Sequence, residues 1–150
     1  MKNEKEVMRI IGESTQVSLK KDNTLLGNVL AIGAKLVAEG RIPQDVVDSR
    51  PGAYALCLAT RASTDVKVFH TGDEAEIGRN PEGGAQSWKI DDPWMSRRHF
   101  RFSVGADGLP ALKSLGSKNG TFVNDQSVDG CAKLKRGDVI RAGTSSFLLF

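Results

Sequence analysis

Cysteine is scarce in this sequence. Only Cys57 and Cys131 occur among 150 residues, far apart and in no metal-ligand spacing. Two thiols are too few for a disulfide-built scaffold, and two reduced thiols are expected, Cys57 in an apolar strand. The sequence alone leaves a bond between them open. His70 and His99 are the only histidines, so no zinc site is expected. Long apolar runs are missing as well, and no segment is expected to span a membrane. The opening residues, Met1-Lys2-Asn3-Glu4-Lys5-Glu6, lack the apolar run of a secretory signal. The expected location is therefore the cytoplasm. Excess charge is lacking too. A formal net charge of +3 is too slight to indicate nucleic acid, since a solvated surface gives the same balance. Internal repeats and low-complexity tracts are absent.

What is present is enough chain for one domain with an extension, long enough to bury a core. Residues 1 to about 20 are polar and mixed in charge, and Val7 to Ile11 fits a short strand or a helix equally. From Asp22 the pattern turns helical. Leu25, Leu26, Val29, Leu30, Ile32, Leu36 and Val37 recur at spacings of three and four. Asp22 or Asn23 can cap this helix, predicted over about 22–40, and Gly40 can end it. Gly27 and Gly33 oppose it, each costing about 1 kcal/mol against alanine in a helix interior. The apolar stripe is expected to lie against its own domain.

Pro43 and Arg50-Pro51-Gly52 punctuate the chain. The boundary is placed there: residues 1–51 as an N-terminal extension, 52–150 as the domain. Beyond Gly52 come short apolar runs: Tyr54 to Thr60, Val66 to His70, Ala75 to Ile77, Trp88 to Ile90, Phe100 to Val104, Ala111 to Leu115, Thr121 to Val123, Ala132 to Leu134, Asp138 to Arg141 and Ser146 to Phe150. Turn residues separate them. Many short strands at close intervals predict an all-β sandwich.

Three clusters sit where strand patterns give way to turns: Gly78-Arg79-Asn80, Met95-Ser96-Arg97-Arg98-His99-Phe100, and Gly116-Ser117-Lys118-Asn119-Gly120-Thr121-Phe122-Val123-Asn124. They supply guanidinium groups, a hydroxyl, an amide and an ammonium, with no carboxylate among them. Donors gathered on loop tips suit a bound anion better than a catalysed reaction. A phosphate on a peptide is the leading candidate.

Gly78-Arg79, Ser96-Arg97-Arg98-His99 and Asn119-Gly120-Thr121-Phe122-Val123-Asn124, in this order and on this texture, resemble the forkhead-associated (FHA) domain, in spacing the bacterial type. Lys89-Ile90-Asp91-Asp92-Pro93 and the stretch Leu134 to Gly143 support the resemblance, which covers about residues 52–150. It implies a β-sandwich of about eleven strands that binds phosphothreonine in partner proteins through loops at one end. It further implies that Arg79 forks onto the phosphate, Ser96 donates its hydroxyl and Arg97 adds positive charge. Ser117 and Lys118 join the binding set, Lys118 standing where many relatives carry threonine or another small polar residue. Asn119 is implied to bond the peptide main chain. Gly78, His99, Gly120 and Asn124 are implied to support the binding loops, Gly120 through a left-handed turn. Trp94 lies in the loop that often reads the residue three past the phosphothreonine, and an apolar preference is expected there. The competing reading packs Trp94 on the sandwich edge.

Other readings are weaker. Ser96 and His99 resemble a nucleophile and its base, but no acid is set to orient the histidine. The basic-aromatic stretch Arg97 to Phe102 superficially fits nucleic acid, yet strand alternation buries the phenylalanines and removes stacking. Gly83-Gly84 lacks the lysine-serine ending of a P-loop. Asp91 and Asp92 read as a solvated turn. No enzyme activity and no cofactor are expected. The main rival is phosphate-independent docking on the same fold, for example as the regulatory N-terminal domain of a larger transcriptional regulator or secretion protein. A further expectation is that Thr15, once phosphorylated, occupies the pocket of its own chain or a second copy. The expected partner is a phosphothreonine protein of a Ser/Thr kinase pathway, with no direct nucleic acid or membrane.

Overall fold

A computed structural model describes residues 23–60, 63–82 and 86–150. The possible element at Val7 to Ile11 and the proposed ligand Thr15 lie outside the described residues. Helices α1 (Asn23–Ala38) and α2 (Gln44–Val47) precede eleven strands. These are β1 (Ala53–Ala59), β2 (Thr64–His70), β3 (Glu74–Gly78), β4 (Ser87–Lys89), β5 (Phe100–Val104), β6 (Pro110–Ser114), β7 (Thr121–Val123), β8 (Gln126–Ser127), β9 (Cys131–Lys133), β10 (Val139–Ala142) and β11 (Ser145–Leu149). They form two sheets. One has the order β2-β1-β11-β10-β7-β8, the other β4-β3-β5-β6-β9. Among the described residues only the β3–β4 pair is parallel.

Strand alternation builds the inner core. Phe100, Phe102 and Val104 are buried in β5, while Arg101 and Ser103 between them are half-buried. Phe102 meets Phe69 of the other sheet with ring centroids 4.7 Å apart, and Phe100 meets Phe147 at 5.3 Å. Both pairs are edge-on, the arrangement aromatic quadrupoles favour.

A second core lies on the outer face of the six-stranded sheet. Strand β1 is buried along its whole length because it is covered on both sides. Tyr54, Leu56 and Leu58 face the sandwich; Ala53, Ala55, Cys57 and Ala59 face a cluster with Leu36, Val46, Val47, Leu148 and Phe150. The small outward residues of β1 let the helical layer lie close. Gly33 is explained the same way: a Cβ there would sit 3.0 Å from both Leu148 and Phe150. The helix thus gives up propensity for close approach to β11. It ends in a Schellman turn, with Gly40 at φ +71, Gly40 N–H donating to Val37 O (3.1 Å) and Arg41 N–H to Leu36 O (2.9 Å). Of its apolar stripe, Ile32, Leu36 and Val37 lie on its own sheet as expected.

Cys57 is buried and Cys131 exposed, and neither is in a disulfide. Burial pushes the Cys57 thiol up to about 12, so it behaves as a small apolar side chain. No helix among the described residues is long and apolar enough to cross a membrane.

Candidate functional site

The three donor clusters meet at one end of the sandwich. The chain leaves β3 at Gly78 and at once crosses the loop that leads into β5. Arg79 N–H donates to Ser96 O and Asn80 N–H to Arg97 O, each at 3.0 Å. Glycine is required at 78, because a Cβ would fall 2.2 Å from Arg97 O. The Arg79 guanidinium is aimed by a bond from its Nε to Met95 O (3.3 Å). Its two terminal nitrogens have no partner among the described residues and remain for a ligand.

His99 ties the loops together from inside. It is fully buried, with Nδ1 accepting from Ser96 N–H (3.0 Å). Nε2 therefore carries the proton and donates to Gly120 O (2.8 Å). Burial holds the imidazole below its ordinary pKa, opposed by the Gly120 carbonyl and by Asp92. With both ring nitrogens engaged, His99 does not serve the Ser96 hydroxyl as a base. That geometry does not fit the nucleophile reading.

Ser96 Oγ instead accepts from the backbone N–H of Lys118 (3.0 Å). This leaves the hydroxyl proton to donate outward. Gly120 takes φ +82, so the implied left-handed turn is present. Asn119 donates from Nδ2 to Trp94 O (2.8 Å), which leaves its carbonyl and one amide hydrogen. Arg79, Trp94, Ser96, Arg97, Lys118 and Asn119 line one open depression of about 520 Å³, with Pro93 and Met95 completing it.

Not every sequence candidate joins this cavity. Ser117 lies outside the lining, its hydroxyl 3.5 Å from Thr121 Oγ1. Asn124 stands at the other end of β7. Its amide donates to Asp138 and its carbonyl accepts from Val139 N–H, pinning the β7–β8 hairpin to β10. Asn124 and Asp125 both have positive φ, as a two-residue primed turn demands. Trp94 does not pack on the sandwich edge: it is 61% exposed at the cavity rim.

Asp92 overturns one sequence reading. It is no solvated residue but 2% exposed. Oδ1 accepts from Trp94 N–H (2.9 Å), closing an Asx turn. Oδ2 accepts from Thr144 N–H (2.8 Å), Thr144 Oγ1 (3.1 Å) and Ser145 Oγ (2.7 Å). Burial raises its pKa, but these bonds outweigh burial and the net shift is downward. Asp92 thus fastens the loop carrying Trp94, Met95 and Ser96 to the β10–β11 turn. The turn at Asp91 and Asp92 was legible, while the partners Thr144 and Ser145, more than fifty residues downstream, left no local mark.

An FHA-domain family profile matches residues 75–143. Among solved structures, the Rv0020c FHA domain is 30% identical, covering 65% of this chain and 90% of its own, with a TM-score of 0.53. This chain belongs to the FHA family. The FHA domain of the CT664 protein from Chlamydia trachomatis is 26% identical, covers 65% of this chain and 95% of its own, and has a TM-score of 0.58. Another FHA structure, from a structural and functional analysis of phosphothreonine-dependent interactions, is 29% identical, covering 65% of this chain and 94% of its own at a TM-score of 0.55. No curated protein sequence matches significantly. FHA domains are in general interaction modules rather than enzymes. Among the described residues of this FHA domain, no group of side chains is placed to hold a metal ion.

Proposed function

We propose that this FHA domain binds phosphothreonine on a partner protein and so makes an interaction depend on phosphorylation, without catalysing a reaction. The observation that carries the reading is the shared cavity of Arg79, Ser96, Arg97, Lys118 and Asn119, with no carboxylate in its lining. A phosphothreonine brings about −1.5 to −2 charge and three acceptor oxygens. The free nitrogens of Arg79 suit two oxygens in a planar fork, and the Ser96 hydroxyl suits the third. Charge-assisted bonds contribute about 1.5–3 kcal/mol each. Two or three supply much of the about −8 kcal/mol of a micromolar complex. Asn119 holds the peptide main chain with its remaining amide groups, and exposed Trp94 favours an apolar residue three past the phosphothreonine.

The binding module spans residues 52–150, with residues 1–51 as an N-terminal extension. The partner belongs to a bacterial Ser/Thr kinase pathway in the cytoplasm. Calorimetric titration with matched threonine and phosphothreonine peptides tests the reading. Micromolar binding of the phosphopeptide alone, lost in Arg79→Ala, is the expected result. Equal binding of both peptides points instead to phosphate-independent docking.

A further inference from the structure

The two sheets end on strands of unequal reach. Strands β2 and β8 border the larger sheet, β4 and β9 the smaller. β4, β8 and β9 have three, two and three residues. β2 has seven, and a long uncovered edge is a template for a further strand. The direction of its backbone follows from β1. Ala55 N–H donates to Phe150 O (3.2 Å) and Phe150 N–H to Ala55 O (2.8 Å), so the odd-numbered residues of β1 bond β11 and the even-numbered ones bond β2. Leu56 is paired with Lys67 and Leu58 with Asp65. The backbones of Asp65 and Lys67 are thereby used, and those of Thr64, Val66 and Val68 turn to the open edge. Val66 N–H donates there to the side chain of its neighbour Asp65 (2.8 Å). His70 N–H is closed off by Asp73 (2.8 Å), which ends the open stretch.

Side chains alternate along the same stretch. Val66 and Val68 pack against the outer core, and Asp65 and Lys67 lie on the other face. Asp65 is exposed, 3.5 Å from Arg41 NH2, and Lys67 has no ion pair among the described residues. Charges on an edge commonly guard it against a second copy, but here the two signs differ. Antiparallel pairing of β2 with itself needs a two-fold axis at one residue. An axis at Asp65 sets Asp65 against itself, and one at Lys67 sets Lys67 against itself. An axis at Val68 sets Lys67 opposite the buried Phe69. An axis at Val66 sets Asp65 opposite Lys67 twice over, Val66 opposite Val66 and Thr64 opposite Val68. Opposite charges directly across from each other stabilise a strand pair, and like charges destabilise it. We propose that two copies of this chain join through antiparallel β2 strands centred on Val66, making one continuous sheet. Val66 N–H then exchanges Asp65 for the Val66 carbonyl of the second copy, and Asp65 turns to the second copy's Lys67. This association does not depend on phosphothreonine binding. Thr64 lies at the loop end of β2, opposite Ala59, which itself pairs with Ser146 beside the Asp92 anchor. Antiparallel copies therefore hold their two cavities at opposite ends of the particle.

Sedimentation velocity of the full chain over a concentration series tests it. The dimer fraction should rise with concentration and fall at 1 M salt, where the screening length is about 3 Å. Asp65→Lys or Lys67→Asp alone turns both ion pairs into like-charge pairs and should weaken the dimer by about ten-fold or more. The double variant, Asp65→Lys with Lys67→Asp, restores both pairs and should dimerise like the unaltered chain. The two single variants, each weakened alone, should associate when mixed, because each charge then meets its opposite. Circular dichroism checks that every variant is folded, and rescue by the double variant or by mixing excludes misfolding as the cause. Monomer at every concentration overturns the proposal and assigns Asp65 and Lys67 to guarding the edge. A dimer indifferent to the single swaps, or one that neither the double variant nor mixing restores, overturns it as well and places the contact elsewhere.

Discussion

The loop end of the sandwich and the helix-covered face of its larger sheet treat side chains in opposite ways. At the loop end, Arg79, Arg97, Lys118, Asn119 and Trp94 are left exposed. On the helical face, Leu36, Val46, Leu148 and Phe150 are sealed between α1, α2 and the sheet. One surface leaves its bonding capacity unspent, and the other has almost none to spend. Stability and recognition are therefore carried by different residues, and substitutions should separate them.

Leu36→Ala should have the largest effect. Leu36 is 1% exposed, and truncating a buried leucine costs about 2–5 kcal/mol. Urea unfolding should show that loss, while the phosphopeptide affinity of the folded protein stays unchanged. Arg79→Ala should do the converse. Phosphopeptide binding should weaken by about 1.5–3 kcal/mol, with stability within about 0.5 kcal/mol, as for an exposed side chain. A matched fall in both quantities for either variant would erase the contrast.

Asp92→Asn should cross the divide. An amide placed where Oδ2 accepts three bonds, or where Oδ1 accepts one, turns an NH2 against a donor. Leaving such a buried donor unpaired costs about 1–3 kcal/mol. Because Asp92 also sets Trp94 and Met95, affinity should fall together with stability. An Asp92→Asn protein of normal stability and affinity would show that the anchor is dispensable.

The smallest effect is pH dependence through His99. Burial holds its folded pKa below the ordinary imidazole value of about 6.5, so the unfolded chain takes up the proton first. Stability should hold above about pH 6.5 and decline as pH falls below it, by at most about 1.4 kcal/mol per unit. Urea midpoints at pH 7.5 and 5.5 read the slope, and His99→Gln should flatten it. An equal slope in both proteins would assign the dependence elsewhere.

The sandwich and the donor clusters were legible because each leaves a local pattern. Alternation marks β5, and Ser96 to His99 stand together in the chain. Strand β8 was not legible: both its residues, Gln126 and Ser127, are exposed and leave no apolar run. Helix α2 is four residues long, too short to display a period. Gly33 argued against the helix that contains it, because its benefit comes from Leu148 and Phe150 at the far end of the chain. Asp92 was hidden for the same reason. Ser117, adjacent to Lys118, shares its loop but not its direction, which sequence order does not reveal.

The most direct measurement is amide chemical-shift mapping with a phosphothreonine peptide and its unmodified twin. Shifts are expected at Arg79, Asn80, Trp94 to Arg97 and Lys118 to Gly120 with the phosphopeptide only, and none along Ile32 to Val47. Shifts centred on the helical face, or the same shifts from the unmodified peptide, would contradict it.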